Sequence, residues 1–307
     1  MDYRQLLDAA SKLPAVPTVV VHPCEASALA GAAEAAARGI IVPLLVGPAG
    51  KIRAAATAAA VDIGSIELID VAHSHAAAER SVALVREGRA EMLMKGSLST
   101  DELMAAVVRR ETGLRTERRV SHCFILDVPN HAGALIVTDA AINVFPTLQD
   151  KVDIVQNAID LARALGIERP KVAILSATEM VNPKVPSTVE AAALCKMADR
   201  GQITGGVLDG PLAFDNAISP EAARIKGITG PVAGRADILV VPDLEAGNLL
   251  AKSLSFMAQA ESAGIVLGAR VPITLTSRAD SVQSRLTSCA VAALVAHRRR
   301  QQAAGLA

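Results

Sequence analysis

Four short polar clusters carry the residue types needed for chemistry on a charged small molecule. In the first, Ser277-Arg278-Ala279-Asp280-Ser281 follows the apolar run Val271-Pro272-Ile273-Thr274-Leu275-Thr276. There a hydroxyl can stabilise an oxyanion, a guanidinium can clamp a phosphate through parallel N–H donors, and a carboxylate can take a proton. The N–H groups that open the next helix suit an anion as well. The other three are Lys95-Gly96-Ser97, Ser176-Ala177-Thr178-Glu179 and Asp209-Gly210-Pro211. All four read as lying just past strands, where a rigid scaffold holds a functional loop in place. Their glycines and small residues let a ligand approach the backbone.

Each cluster also has a purely structural reading. Asp280 or Ser281 suits the N-cap of the last helix. Arg278 could be a surface charge, and Lys95 could lay its stem over the core with its ammonium in water. Asp209 and Asp243 both stand in turn-like surroundings. None of the clusters has Walker-loop spacing, and no G-x-G-x-x-G follows the first strand, so Gly-rich dinucleotide binding is not supported.

The elements that must hold these residues alternate along nearly the whole chain. Strands are predicted over 18–22, 40–46, 66–69, 91–94, 122–128, 134–137, 171–175, 206–208, 238–241, 265–267 and 271–276. Helices are predicted over 26–38, 52–60, 75–86, 101–110, 148–165, 188–199, 249–262 and 282–297, several of them closed by a glycine. Thr100 is expected to cap the fourth helix. The strands at 122–128 and 134–137 are separated by a hairpin-sized link, so they are expected to be antiparallel within a mixed sheet. The irregular stretch 130–146 and the strand at 265–267 are the plausible crossings between two lobes. The division expected is 1–130 with 268–307 as one discontinuous α/β lobe, and 131–267 as the other, with a cleft between them.

Composition narrows the function class. The chain has 307 residues, enough for two domains, with 31 basic and 31 acidic side chains. That balance gives no sign of a nucleic-acid or membrane partner. Arg298-Arg299-Arg300 suits the C-terminal dipole of the last helix. Apolar residues make up 51% and aromatics only 2%, which fits Ala-rich helices packed closely on Val/Ile strands. No apolar run is long enough to span a membrane, and the N-terminus lacks a signal-peptide layout. Cys24, Cys123, Cys195 and Cys289 are scattered without a C-x-x-C, as expected for reduced core residues of a cytoplasmic protein. His73-Ser74-His75 reads as a helix start, because residues two apart on a helix diverge.

The order of certain segments adds to this reading. Met94-Lys95-Gly96-Ser97-Leu98-Ser99-Thr100 is followed by Thr138-Asp139-Ala140-Ala141-Ile142-Asn143, then Pro231-Val232-Ala233-Gly234-Arg235-Ala236-Asp237. Val241-Pro242-Asp243-Leu244-Glu245-Ala246-Gly247-Asn248 and Pro272-Ile273-Thr274-Leu275-Thr276-Ser277-Arg278 complete the series. In these segments the chain resembles the phosphate acetyltransferase and phosphate butyryltransferase family, over roughly residues 90–295. The resemblance implies the isocitrate/isopropylmalate-dehydrogenase-like fold, two α/β lobes with mixed sheets and an interlobe cleft, as a homodimer or higher homo-oligomer. It also implies reversible conversion of a short-chain acyl-CoA and phosphate into acyl phosphate and CoA, with neither cofactor nor metal.

By the same resemblance Ser277 serves the transition state and Arg278 the phosphate. The acetyltransferase branch places a proposed carboxylate base several residues further on, where ungapped counting finds Ser284. The Ser-Arg-Ala-Asp-Ser pattern resembles the butyryltransferase branch, with Asp280 as the base candidate. Lys95, Ser97, Asn143, Ser176, Asp209 and Asn248 are the substrate-binding candidates. Direct transfer in a ternary complex is expected, since no Cys-His or Ser-His pair stands out. The rival readings are a metal-dependent hydroxy-acid dehydrogenase of the same fold, with Asp209 and Asp215 as ligands, and a non-catalytic CoA- or phosphate-binding protein.

Overall fold

The computed structural model describes residues 2–129, 131–277 and 280–305. Arg278, singled out above, lies outside them. The chain forms two compact units, one of residues 2–118 with 263–305 and the other of 119–262.

The first unit opens with α1 (Tyr3–Ser11), capped by Asp2. β1 (Val16–Val21), α2 (Ala26–Ala37), β2 (Ile41–Gly47), α3 (Ala49–Ala59) and β3 (Leu68–Asp70) follow. α4 (Ser74–Arg86), β4 (Met92–Lys95) and α5 (Thr100–Val107) complete its N-terminal part. His73 caps α4 through its ring, Nδ1 accepting from the Ala76 N–H, so the histidine pair is a helix start as expected. Ser99, one residue earlier than expected, caps α5 in a capping box with Glu102.

The second unit contains β5 (Ser121–Asp127), β6 (Leu135–Thr138), α6 (Leu148–Ala164), β7 (Lys171–Leu175) and α7 (Pro186–Asp199). It continues with β8 (Val207–Leu212), α8 (Phe214–Ile218), α9 (Pro220–Ile225), β9 (Ile238–Val240) and α10 (Leu244–Met257). The chain then returns to the first unit through β10 (Glu261–Leu267), β11 (Ile273–Thr274) and α11 (Val282–Ala303).

In the first unit the strand order is β3-β2-β1-β4-β11-β10, parallel except for the antiparallel β10–β11 pair. In the second it is β5-β6-β9-β7-β8, parallel except for the β5–β6 hairpin. The mixed α/β class is therefore as the sequence predicts. The units break at Arg119 and Ala263, not at 131 and 268. Strand pairing explains the shift: β5 stays with its hairpin partner β6, and β10 stays with β11.

Aliphatic burial holds the first unit together. Val16, Val19, Val20 and Val21 of β1 are fully buried, and Ala28, Leu29, Ala32 and Ala35 of α2 lie against the core. Alanine costs little entropy in a helix and lets backbones approach closely, which suits a core with few aromatics. α11 is buried along most of its length, from Arg285 to Ala296. It crosses α2 so closely that a Cβ on Gly31 would stand 2.8 Å from that of Arg285.

Register sets the functional end of this sheet. Val21 pairs with both Val46 and Lys95, and Thr274 pairs with Met94. The chain leaving β11 therefore emerges beside Lys95, at the carboxyl ends of the parallel strands, the edge where open α/β sheets bind ligands.

Two elements of the second unit differ from expectation. Pro211 was read as ending its strand, yet β8 runs on to Leu212. β8 is an edge strand, where a missing N–H is tolerated. Gly210 fits there because a Cβ would meet the Ile174 Cβ and carbonyl oxygen at 2.8 Å. Asp243, in turn-like surroundings by sequence, is the cap of α10, which begins at Leu244, ahead of the expected start at 249. Gly247 lies inside that helix because a Cβ would come within 2.8 Å of the Asp139 carbonyl oxygen. Its glycine reflects packing, not a break.

Candidate functional site

Charged side chains hold the Thr276–Ser277 segment through its backbone. Lys95, 4% exposed at the end of β4, donates its Nζ to the Thr276 carbonyl at 3.3 Å and to the Gly96 carbonyl at 3.5 Å. Arg285, 1% exposed, donates Nη1 to Thr276 Oγ1 at 2.7 Å and Nη2 to the Ser277 carbonyl at 3.0 Å. The Ser277 N–H donates to Asp280 Oδ2 at 2.6 Å, and the Asp280 N–H returns to the Ser277 carbonyl at 3.2 Å. Ser277 is exposed while its backbone is fixed on both sides, an arrangement that presents a hydroxyl rigidly to a ligand.

Of the two residues expected as the cap of α11, Ser281 takes that place, accepting the Ser284 N–H at 3.0 Å, and Asp280 closes the Ser277 loop. Burial pushes its carboxyl above the ordinary range, against the pull of the Ser277 N–H and of Arg285 and Lys95. A carboxylate raised in this way is better matched to accepting a proton near neutral pH. Burial likewise lowers the Arg285 guanidinium, with Asp280, Glu25 and Cys289 opposing.

Ser97 ties loops together. Its Oγ donates to the His22 carbonyl at 2.8 Å and accepts the Cys24 N–H at 2.8 Å, joining the exit of β1 to that of β4. Gly96 is required beside it, because a Cβ would lie 2.4 Å from the Val21 carbonyl oxygen.

In the second unit Asn143 and Asn248 converge on one loop. The Asp139 carboxylate, 3% exposed, accepts the N–H groups of Ala141, Ile142 and Asn143 at 3.0–3.2 Å. Asn143 donates Nδ2 to Asp139 and to the Val120 carbonyl, and its Oδ1 accepts from Arg119 Nε at 2.6 Å. Its amide is thus committed on both sides, as a brace. Asn248 reaches the same loop from α10, donating to the Ala140 carbonyl at 3.2 Å. Burial pushes the Asp139 carboxyl up while its N–H donors pull it down.

Ser176 follows β7, its hydroxyl 2.8 Å from that of Ser187. Asp209 lies within β8, opposite Ala173 on β7, and burial raises its carboxyl. It is a strand residue, not the loop residue expected, because the ladder continues past Pro211. Asp215, the other metal-ligand candidate, is paired with Lys226 at 3.1 Å. Among the described residues no three His, Cys, Asp or Glu side chains are grouped to hold a metal ion. Burial pushes the Cys123, Cys195 and Cys289 thiols up to about 12, far from a nucleophilic thiolate at neutral pH. No helix among the described residues is long and apolar enough to cross a membrane.

Sequence reasoning missed two residues that shape these loops, Arg285 and Asp139. Arg285 sits in the first turn of an otherwise well-buried helix, and nothing in its spacing marks it as buried. Asp139 had a signal: a carboxylate straight after a strand with a run of small residues behind it is positioned to gather backbone N–H groups.

Comparison with known proteins bears on both units. The family model described as phosphate acetyl/butaryl transferase matches residues 75–293. A phosphate acetyltransferase of Rhizobium meliloti is 66% identical over 97% of this chain and 94% of its own length. A phosphate butyryltransferase of Clostridium acetobutylicum is 44% identical over 86% of this chain and 87% of its own. The crystal structure of a branched-chain phosphotransacylase from Enterococcus faecalis V583 superposes with a TM-score of 0.80 at 31% identity, covering 92% of this chain and 99% of that one. With the family match spanning both units and the ordered motifs in place, the chain belongs to the phosphate acetyl/butaryl transferase family and is an acyltransferase enzyme.

Proposed function

We propose that the chain interconverts a short-chain acyl-CoA and inorganic phosphate with acyl phosphate and free CoA, the acyl group being acetyl or butyryl. The observation that carries this reading is the Ser277–Asp280 loop, a fixed hydroxyl and a partly desolvated carboxylate backed by the Lys95 and Arg285 cations. In the direction of acyl-CoA synthesis, Asp280 takes the proton of the CoA thiol as its sulfur attacks the acyl phosphate carbonyl. A thiol with an ordinary pKa of about 8.5 is mostly protonated at pH 7, so a general base is worth roughly 10²–10⁴-fold.

The tetrahedral oxyanion forms beside Ser277, where one fixed donor contributes about 3 kcal/mol to the transition state. Collapse breaks the bond from carbon to the phosphate oxygen, and phosphate departs into the grip of Arg278. Both substrates are held at once and no acyl-enzyme forms, in keeping with the strongly raised thiols. Asp280 takes the role of base that the acetyltransferase branch gives to a later residue. At that later position Ser284 has a structural task, its N–H donating to Ser281 Oγ and its own hydroxyl oxygen accepting from Ser281 Oγ.

Lys95 adds positive charge for the phosphate. Ser97, Asn143 and Asn248 act through the loops they brace, while Ser176 and Asp209 are further candidates for binding substrate. The reaction uses its two substrates and no further cofactor or metal. The working form is a homodimer in the cytoplasm. Leu249, Phe256 and Met257 on α10, 67%, 78% and 86% exposed, offer an apolar face that a second copy would cover.

The deciding experiment measures phosphate-dependent cleavage of acetyl-, propionyl- and butyryl-CoA. One short chain length should be preferred, by roughly ten- to two-hundredfold per methylene. Absence of cleavage with all three would dismiss the reading, and an acyl group trapped on the protein by acyl phosphate alone would dismiss direct transfer.

A further inference from the structure

Arg285 is an unusual residue to bury. Both of its hydrogen-bond partners, the Thr276 hydroxyl and the Ser277 carbonyl, are neutral. Its Nε is buried without a hydrogen-bond partner among the described residues. Taking a guanidinium out of water costs several kcal/mol, and two neutral acceptors offset only part of that. The packing around it is close, since a Cβ on Gly31 of α2 would stand 2.8 Å from the Arg285 Cβ and 3.0 Å from its Cδ. A leucine or methionine would fill this place in the core at lower cost. What only the guanidinium provides is a planar fork that reaches two successive residues at once, Thr276 through its side chain and Ser277 through its backbone.

We propose that Arg285 is a positioning residue for acyl transfer, holding the Ser277 hydroxyl in its working place by fixing the Thr276–Ser277 backbone from below. The inference rests on the acyltransferase reading above and deepens it. Lys95 grips the preceding carbonyl from the end of β4, and Asp280 grips the Ser277 N–H. The loop is therefore held by Lys95, Asp280 and Arg285 together, with Arg285 supplying hydrogen bonds from α11. The same guanidinium acts on Asp280 through space. Among the described residues the charged groups around that carboxylate are Arg285 on α11 and Lys95 on β4, and Arg285 in turn feels Glu25 ahead of α2 and Cys289 on its own helix. Among the described residues Arg285 and Lys95 are the cations favouring ionised Asp280, and removing the Arg285 charge means that the proton would be lost only at higher pH.

The test compares Arg285→Met and Arg285→Lys with the wild-type protein by thermal melting, by phosphate-dependent acyl-CoA cleavage across pH, and by amide hydrogen exchange. Methionine keeps volume without charge; lysine keeps the charge without the fork. For Arg285→Met we expect kcat to fall about 10²-fold, the loss typical of a reacting group displaced by about 1 Å. Its KM for acyl-CoA should change little, and the acid limb of kcat/KM should move to higher pH. Arg285→Lys should return the acid limb to its wild-type position while recovering only part of kcat. Exchange of the Ser277 amide should quicken at least tenfold in Arg285→Met, with the α11 core amides unchanged.

Two results overturn the proposal: variants that keep wild-type kcat and pH profile, or a loss of rate that merely tracks the folded fraction with the acid limb unmoved. Should wild-type protein cleave none of the thioesters, it is the acyltransferase reading that fails. Exchange at Ser277 then decides by itself whether Arg285 holds the loop, and an unchanged rate there overturns that too.

Discussion

Two loops in this chain are closed by an aspartate, and they use the same group in opposite ways. In the second unit Asp139 is nearly inaccessible and gathers three successive backbone N–H groups as well as the Asn143 amide. In the first unit Asp280 is only partly buried, receives the Ser277 N–H, and stands in the field of Arg285 and Lys95. A carboxylate saturated with donors is a structural node, because every lone pair is occupied and moving it would orphan several buried groups. Burial raises both carboxyls, but the one that is partly exposed and has a single hydrogen-bond donor among the described residues retains the capacity to bind a proton. On the proposed mechanism the contrast separates a residue that holds the fold from one placed to take part in the reaction, although in sequence both are simply Asp near a strand end.

The contrast is most exposed to failure at Asp280. For Asp280→Asn we expect kcat to fall roughly 10²–10⁴-fold, the range of a lost general base. Stability should move by less than about 1 kcal/mol, since an amide oxygen can still accept the Ser277 N–H. Urea denaturation and steady-state rates on the same preparation measure both. Asp139→Ala should give the reverse pattern. It leaves the Ala141, Ile142 and Asn143 N–H groups without their acceptor, at about 1–3 kcal/mol for each that stays buried, so a loss of about 3 kcal/mol or more is expected. If Asp139→Ala melts normally and loses activity, while Asp280→Asn unfolds, the two assignments must be exchanged.

A third substitution sharpens the chemical side of the contrast. Arg278→Lys keeps the charge but loses the paired N–H donors that match a phosphate, and the KM for phosphate should rise about tenfold with the KM for acyl-CoA unchanged. Unchanged phosphate dependence would remove Arg278 from the site.

What the sequence made visible follows the same division. The alternation of β-branched runs with Ala-rich segments was readable because local preference and burial agree in a mostly parallel sheet; β1 and α2 are examples. The Ser277 cluster was readable because polar residues directly after an apolar strand have few structural reasons to be there. Arg285 was not, since an arginine on a helix ordinarily reads as solvated and only the close crossing of α2 and α11 buries it. The expected start of a helix at 249 and end of a strand at 208 fail beside Gly247 and Pro211 for a related reason. Both resemble breaks in local terms, and both are tolerated through contacts remote in sequence, the Asp139–Ala140 loop for one and an edge position for the other. Asn143 resembled a ligand residue, and its committed amide is a consequence of Arg119 and Val120, which no spacing rule connects to it.

Glu102 offers a third carboxylate, on the segment that begins at Lys95, and gives the smallest and most specific of these tests. It closes the capping box of α5, accepting the Ser99 N–H at 2.8 Å and the Ser74 hydroxyl at 2.6 Å, with His75 Nδ1 at 3.2 Å. These contacts, the Ser74 hydroxyl foremost, hold its carboxyl at about 2 against an ordinary 4.5. A depressed acid stabilises the fold above its unfolded pKa, and that stability disappears as pH falls from about 4.5 through about 2. Glu102→Gln should therefore cost about 1 kcal/mol at neutral pH, the usual worth of a cap, and nothing at pH near 2. Plotted against pH, the stability difference between the two proteins should vanish across that acid window while acyltransferase rates at neutral pH stay level. A difference that persists to the acid end would mean that Glu102 acts through packing, and a loss of rate would move it from the structural carboxylates to the side of Asp280.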